Sequence, residues 1–147
     1  MAKRTPVSPE AAAKHDADLV LVERFDDLFA RARAAEQDLR DAQAKGASLE
    51  ELHRAGKHLD SALTDVMRAA FAAQRAQIGA RGYDDRIYRR KAMATAPVRA
   101  WTMEAERLLT LRESHRLTGI VRLPRRPAGH PGAPANPAVT ETQAVVV

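Results

Sequence analysis

Two ladders of apolar residues at 3-4 spacing meet at the tripeptide Gly46-Ala47-Ser48, and few folds satisfy both. The first ladder is Leu21, Phe25, Leu28, Ala32, Ala35, Leu39 and Ala42. The second is Leu49, Leu52, Gly56, Leu59, Leu63, Val66, Ala70 and Ala73. Each puts a coiled-coil seam on one side of a helix, and the short turn folds the two together as an antiparallel hairpin. Two registers fit. One pairs Ala42 with Leu49, Leu28 with Leu63 and Phe25 with Val66; the other slips by about a turn and pairs Leu39 with Gly56.

The helix ends are also written in the chain. Ser8-Pro9-Glu10 offers an N-cap, a proline at the first helical position and an acid at the positive helix end. From there one helix is expected to run unbroken to Lys45, with Gly46 as its left-handed terminator. Ser48 and Glu51 form a capping box for the second helix, which should end at Gly79. Residues 80–82 read as a hinge and Tyr83 to Ala94 as a short basic helix. Pro97 opens a third helix through Val98, Trp101, Ala105, Leu108 and Leu111, stopping at Gly119.

The fold class expected is therefore all-α: a long antiparallel helical hairpin with a third helix packed at its open end. An extended Pro-rich C-terminal tail follows. Off-seam apolar residues at that end (Leu19, Val20, Val22, Phe29, Met67, Phe71, Ile78) widen the stripe for the third helix. Residues 32–60 lack such extras and should project as a two-helix arm. The organisation reads as a flexible lead at 1–7, the hairpin at 8–79, the basic segment and third helix at 80–119, and the tail at 120–147. Five prolines after residue 123 and little apolar bulk leave that tail without a core of its own.

Charge is unevenly placed. Residues 1–79 hold 12 Lys/Arg and 13 Asp/Glu, whereas residues 80–126 hold 12 and 5, a local net of +7 in a chain of net +5. An anionic partner is expected there. The candidate nucleic-acid-binding residues are Arg86, Tyr88, Arg89, Arg90 and Lys91: the cations neutralise phosphates and an exposed tyrosine can stack on a base. Arg99, Arg107, Arg112, Arg116, Arg122, Arg125 and Arg126 extend the charge. The competing reading pairs these arginines with acids such as Asp26, Asp27, Asp84 and Asp85, or leaves them as a solvated face. No reading-head motif is present, so such contact would be to the backbone and not sequence-specific. In the tail, Ile120, Val121 and Leu123 could add to a partner's sheet edge, and Val145, Val146 and Val147 could anchor in a pocket.

Other classes fit less well. Glu50-x-x-His53, with Glu23, has ferritin-like ligand spacing, but the pair lies beside the seam, and Glu50 and Glu51 serve as first-turn acids. His15, His58, His115 and His130 are scattered. No metal, cofactor or catalytic residue is expected. Zero cysteines exclude disulfides, no run is long enough to span a membrane, and Met1 to Pro6 lacks the apolar stretch of a signal peptide. The expected protein is a non-enzymatic helical adaptor or scaffold subunit of a larger assembly that contains nucleic acid, such as a phage or virion particle or a bacterial nucleoprotein complex. Its partners would be other subunits, further copies of itself, and DNA or RNA, in the cytoplasm or a particle assembled there. The alternatives are an autonomous, sequence-nonspecific nucleic-acid-binding protein and, third, a small helical-bundle metalloprotein or enzyme.

Overall fold

The computed structural model describes residues 6–119, and every element in that span is a helix. In chain order these are α1 (Pro9–Glu23), α2 (Phe25–Ala44), α3 (Leu49–Ile78), α4 (Arg81–Asp84), α5 (Arg86–Ala92) and α6 (Ala96–Thr118). The Pro-rich tail, with Ile120, Val121, Leu123, Val145, Val146 and Val147, lies outside the described residues.

The ends form for the reasons written in the chain. The Ser8 hydroxyl accepts the Ala11 N–H at 3.1 Å at the start of α1, and the Ser48 hydroxyl accepts the Glu51 N–H at 3.2 Å at the start of α3. At the end of α2, Gly46 takes φ 68°. The Ala47 N–H reaches back to the Ala42 carbonyl (2.9 Å) and the Gly46 N–H to that of Gln43 (3.2 Å). That bond pair satisfies the orphan carbonyls and needs the left-handed residue that glycine supplies without a Cβ clash.

The expected unbroken first helix is divided. Arg24 has φ −88° and ψ −3°, and its N–H bonds to the Leu21 carbonyl three residues back at 3.1 Å, a tightened turn between α1 and α2. The buried stripe nevertheless continues through the break. Ala11, Asp18, Phe25, Ala32 and Leu39 are all buried at intervals of seven. The buried stripe therefore begins fourteen residues before Phe25, and one of its places holds an aspartate.

α3 is the centre of the molecule: α1, α2 and α6 all pack against it. It buries the ladder residues Leu59, Leu63, Val66, Ala70 and Ala73, and a second set, Ala62, Ala69 and Ala72, that the ladder does not explain. α6 also lies along α3, meeting it at Gly56, Asp60 and Gln74 and burying Val98, Trp101, Ala105, Leu108 and His115. Three contacts give the direction of α6. The Trp101 ring meets Phe25 edge-on at 5.2 Å, while His115 Nε2 lies 2.8 Å from the Gly56 carbonyl oxygen and Arg116 bonds Asp60 at 2.6 Å. The third helix thus starts at the open end and runs back toward the turn. Much of the span expected to project as a bare arm is covered, since 23 residues of helix reach roughly 34 Å.

Two further expectations are corrected. Leu49 was assigned to the seam opposite Ala42, yet it is 86% exposed. As the first residue of α3, it sits where α2 has already ended. Leu19 and Val20 were assigned to the face for the third helix, but they are 42% and 58% exposed because α6 packs on α3 and not on α1.

Leu63→Ala should cost about 2–5 kcal/mol by urea unfolding, whereas Leu49→Ala should change stability by less than about 0.5 kcal/mol. Equal costs would mean that the packed seam extends to the turn.

Candidate nucleic-acid interface

α3 ends at Gly79, whose φ of 101° turns the chain sharply away from the helix axis. The expected hinge at 80–82 is instead structured. Arg81–Asp84 closes one helical turn, α4, and Gly82 is buried against the end of α3. A Cβ at Gly82 would stand 2.3 Å from Cγ2 of Ile78 and 3.4 Å from its Cβ. Ile78 is itself buried and branched at Cβ, so it can yield only by changing its whole rotamer.

The expected single helix from Tyr83 to Ala94 is divided at Asp85, which has extended backbone (φ −117°, ψ 103°) and caps α5 by accepting the Tyr88 N–H at 2.9 Å. That bond, together with Arg81, holds the Asp85 carboxyl below its ordinary range. The start of α1 is fastened to the same corner: the Ser8 N–H donates to Asp84 Oδ2 at 2.9 Å, which lowers the Asp84 carboxyl likewise.

No residue of α5 is buried. The sequence candidates Arg86, Tyr88, Arg89, Arg90 and Lys91 all stand exposed on this one short helix. Arg89 donates to the Gly82 carbonyl at 3.3 Å. Tyr88 is not open on both faces, because the Arg81 guanidinium lies 4.7 Å from its ring centroid. Arg86, Arg90 and Lys91 form no ion pair among the described residues. Three of the four arginines of α6 differ: Arg107 pairs with Glu104 (3.7 Å), Arg112 with Glu113 (2.9 Å) and Arg116 with Asp60 (2.6 Å), while Arg99 is exposed and forms no ion pair among the described residues. The solvated, internally paired reading therefore describes much of α6, while three exposed cations without an ion pair among the described residues stand together on α5.

Between α5, α4, the end of α3 and the lead runs a groove of about 1120 Å³. Its cationic lining is Arg75, Arg81, Arg86, Arg89, Arg90 and Lys91, against the acids Asp84 and Asp85. Pro6, Val7, Ile78, Ile87 and Met93 supply apolar surface. The lead and Met93 were not among the candidate residues. They arrive through tertiary contacts: the Ser8–Asp84 bond, and a contact of Gln74 Nε2 with the Met93 sulfur at 3.6 Å.

Behind the groove lies a polar node. Asp18 is 7% exposed and receives two bonds from Arg75, at 2.9 and 3.0 Å, and one from the Tyr83 hydroxyl. The His15 ring packs edge-on to Tyr83 at 6.3 Å. Burial alone would raise the Asp18 carboxyl; the bonds from Arg75 and Tyr83, with the charges of Arg75 and His15, outweigh it and lower it. Burial, followed by the bond to Asp18, pushes the Tyr83 hydroxyl well above its ordinary range, so Tyr83 remains a neutral donor. Sequence reasoning missed Asp18, although its position seven residues before Phe25 placed it on the stripe.

Glu50 is exposed and pairs with Arg54 at 3.5 Å, and no group of three or more metal-ligating side chains occurs among the described residues. No described helix is long and apolar enough to cross a membrane. No protein-family model, curated protein or solved structure matches the chain.

Two outcomes are expected. Gly82→Ala should destabilise by about 1–3 kcal/mol through overpacking, and Ile78→Ala should cost less in that background than in the native one, a coupling read by a double-mutant cycle. Asp18→Asn should cost about 1–3 kcal/mol at neutral pH. Because the folded state holds the Asp18 carboxyl below 3.8, its contribution is present above that pH and fades as pH falls through the folded value. The gap between native and variant in urea unfolding should therefore narrow in acid.

Proposed function

We propose that this chain is a non-enzymatic helical subunit that holds the phosphate backbone of nucleic acid on the α4–α5 face, as part of a larger nucleic-acid-containing assembly. The observation that carries the reading is the clustering of unpaired charge on α5: Arg86, Arg90 and Lys91 stand exposed on one short helix and lack internal ion partners among the described residues, while Arg107, Arg112 and Arg116 of α6 have them. Arg and Lys displaced from internal pairing are free to neutralise phosphates and release counterions. Base-edge readout is not proposed. α5 has seven residues, about 10 Å of helix, too short to lie along a major groove as a recognition helix does.

The long helices serve this reading as a mount. α2 and α3, taken as an antiparallel coiled-coil hairpin, hold the α3 end rigid, and α4–α5 is attached there. The scaffold role and the cytoplasmic or particle-bound setting belong to the same proposal.

Fluorescence anisotropy with a labelled oligonucleotide tests it. Affinity should fall steeply as salt rises from about 50 to about 200 mM. Replacing Arg86, Arg90 and Lys91 together with glutamine should leave the melting curve intact and lower the log–log salt slope by about 2, near 0.7 per lost phosphate contact on a single strand. Absence of binding to any nucleic acid at low salt would overturn the proposal.

A further inference from the structure

The groove carries more than charge. A duplex backbone needs only cations, yet the cations here surround an apolar lining: Val7 from the lead, Ile78 from α3, Ile87 from α5 and Met93 beyond it. Ile87 is 70% exposed and Val7 is 42% exposed, so this surface is open to a ligand. In a duplex the base faces are stacked on one another and only their edges reach the grooves. Apolar walls of this kind can therefore be used only by bases released from pairing, whose flat faces gain by leaving water.

Tyr88 does not supply this contact, since it is absent from the groove lining and Arg81 covers one of its faces. Concavity points the same way. A groove of about 1120 Å³, walled by four chain segments, admits a thin flexible strand.

Resting on the backbone-binding reading above, we infer that the groove between the N-terminal lead, the α3 end and α5 takes single-stranded nucleic acid, with phosphates on Arg86, Arg90 and Lys91 and unpaired bases against Val7 and Ile87.

The experiment compares four ligands of matched length or charge on the full chain by anisotropy competition: a mixed-sequence single strand, its duplex, an abasic single strand, and polyglutamate. The single strand should bind about tenfold tighter than the duplex and the abasic strand, the scale set by burying one base face. Ile87→Ser, a change at an exposed position, should weaken the single strand roughly fivefold, as loss of about half an isoleucine's burial predicts, without altering the salt slope. A preference below about threefold over the duplex, the abasic strand or polyglutamate would overturn the single-strand inference and leave the backbone reading standing. Failure of all four to bind at low salt would overturn both.

Discussion

The structure depends on α3 lying between neighbours on more than one side. A helix of this kind cannot be bulky on every face, because its partners must approach closely and still interdigitate. The chain meets that constraint with alanine: Ala62, Ala69, Ala70, Ala72 and Ala73 are all buried on α3. Alanine removes little apolar area from water, so the larger groups come from Leu59, Leu63 and Val66 elsewhere on α3 and from the neighbours, with Phe25, Leu28 and Leu39 on α2 and Trp101 and Leu108 on α6. Phe25 and Trp101 then close the open end on each other, and the end of α3 becomes a fixed platform. The basic α4–α5 face is placed by that platform and adds no buried residue of α5 to the core.

Asp18 adds specificity to this packing. A carboxylate on the buried stripe is tolerable only if its lost hydration is replaced, and Arg75 and Tyr83 replace it with three bonds. The bonds come from two other elements, α3 and α4, so α1 can satisfy its aspartate in one register only. Slipping by a turn would bury an unpaired charge, a penalty that an apolar residue at position 18 would not impose. The same node sets the groove. Arg75 lines it, but its guanidinium is already spent on Asp18, which leaves the rim charge to α5.

This division explains what could be read from the sequence. The ladders were legible because a 3-4 period over several heptads has few other solutions, and the Gly46 and Ser48 signals act locally. Leu49 was misplaced because periodicity does not say where the opposing helix stops. The reach of α6 was hidden for a different reason: on α3 it bonds Asp60 and Gln74, polar residues that read as solvent-facing until their partners on α6 are known. Asp18 was passed over because a charged residue at a stripe position reads as a break until its partners, 57 and 65 residues away, are known. The basic run was visible as composition, but the groove beside it joins Ser8 to Asp84 across 76 residues, a contact no local pattern announces.

The charge on α5 can be separated into a part that folding explains and a part that it does not. Arg89, Arg90 and Lys91 occupy the last turn, where cations favourably meet the negative end of the helix dipole, each worth about 0.3–1 kcal/mol. Folding alone thus accounts for some of them. Arg86 is the reverse case. It is the first residue of α5, at the positive end, where an acid is favoured and a cation is mildly unfavourable. It is exposed, forms no ion pair among the described residues, and lines the groove. A residue that its own helix disfavours and its neighbours leave unneutralised contributes nothing evident to stability, so of the five basic-segment candidates Arg86 is the one whose presence most needs an external anion.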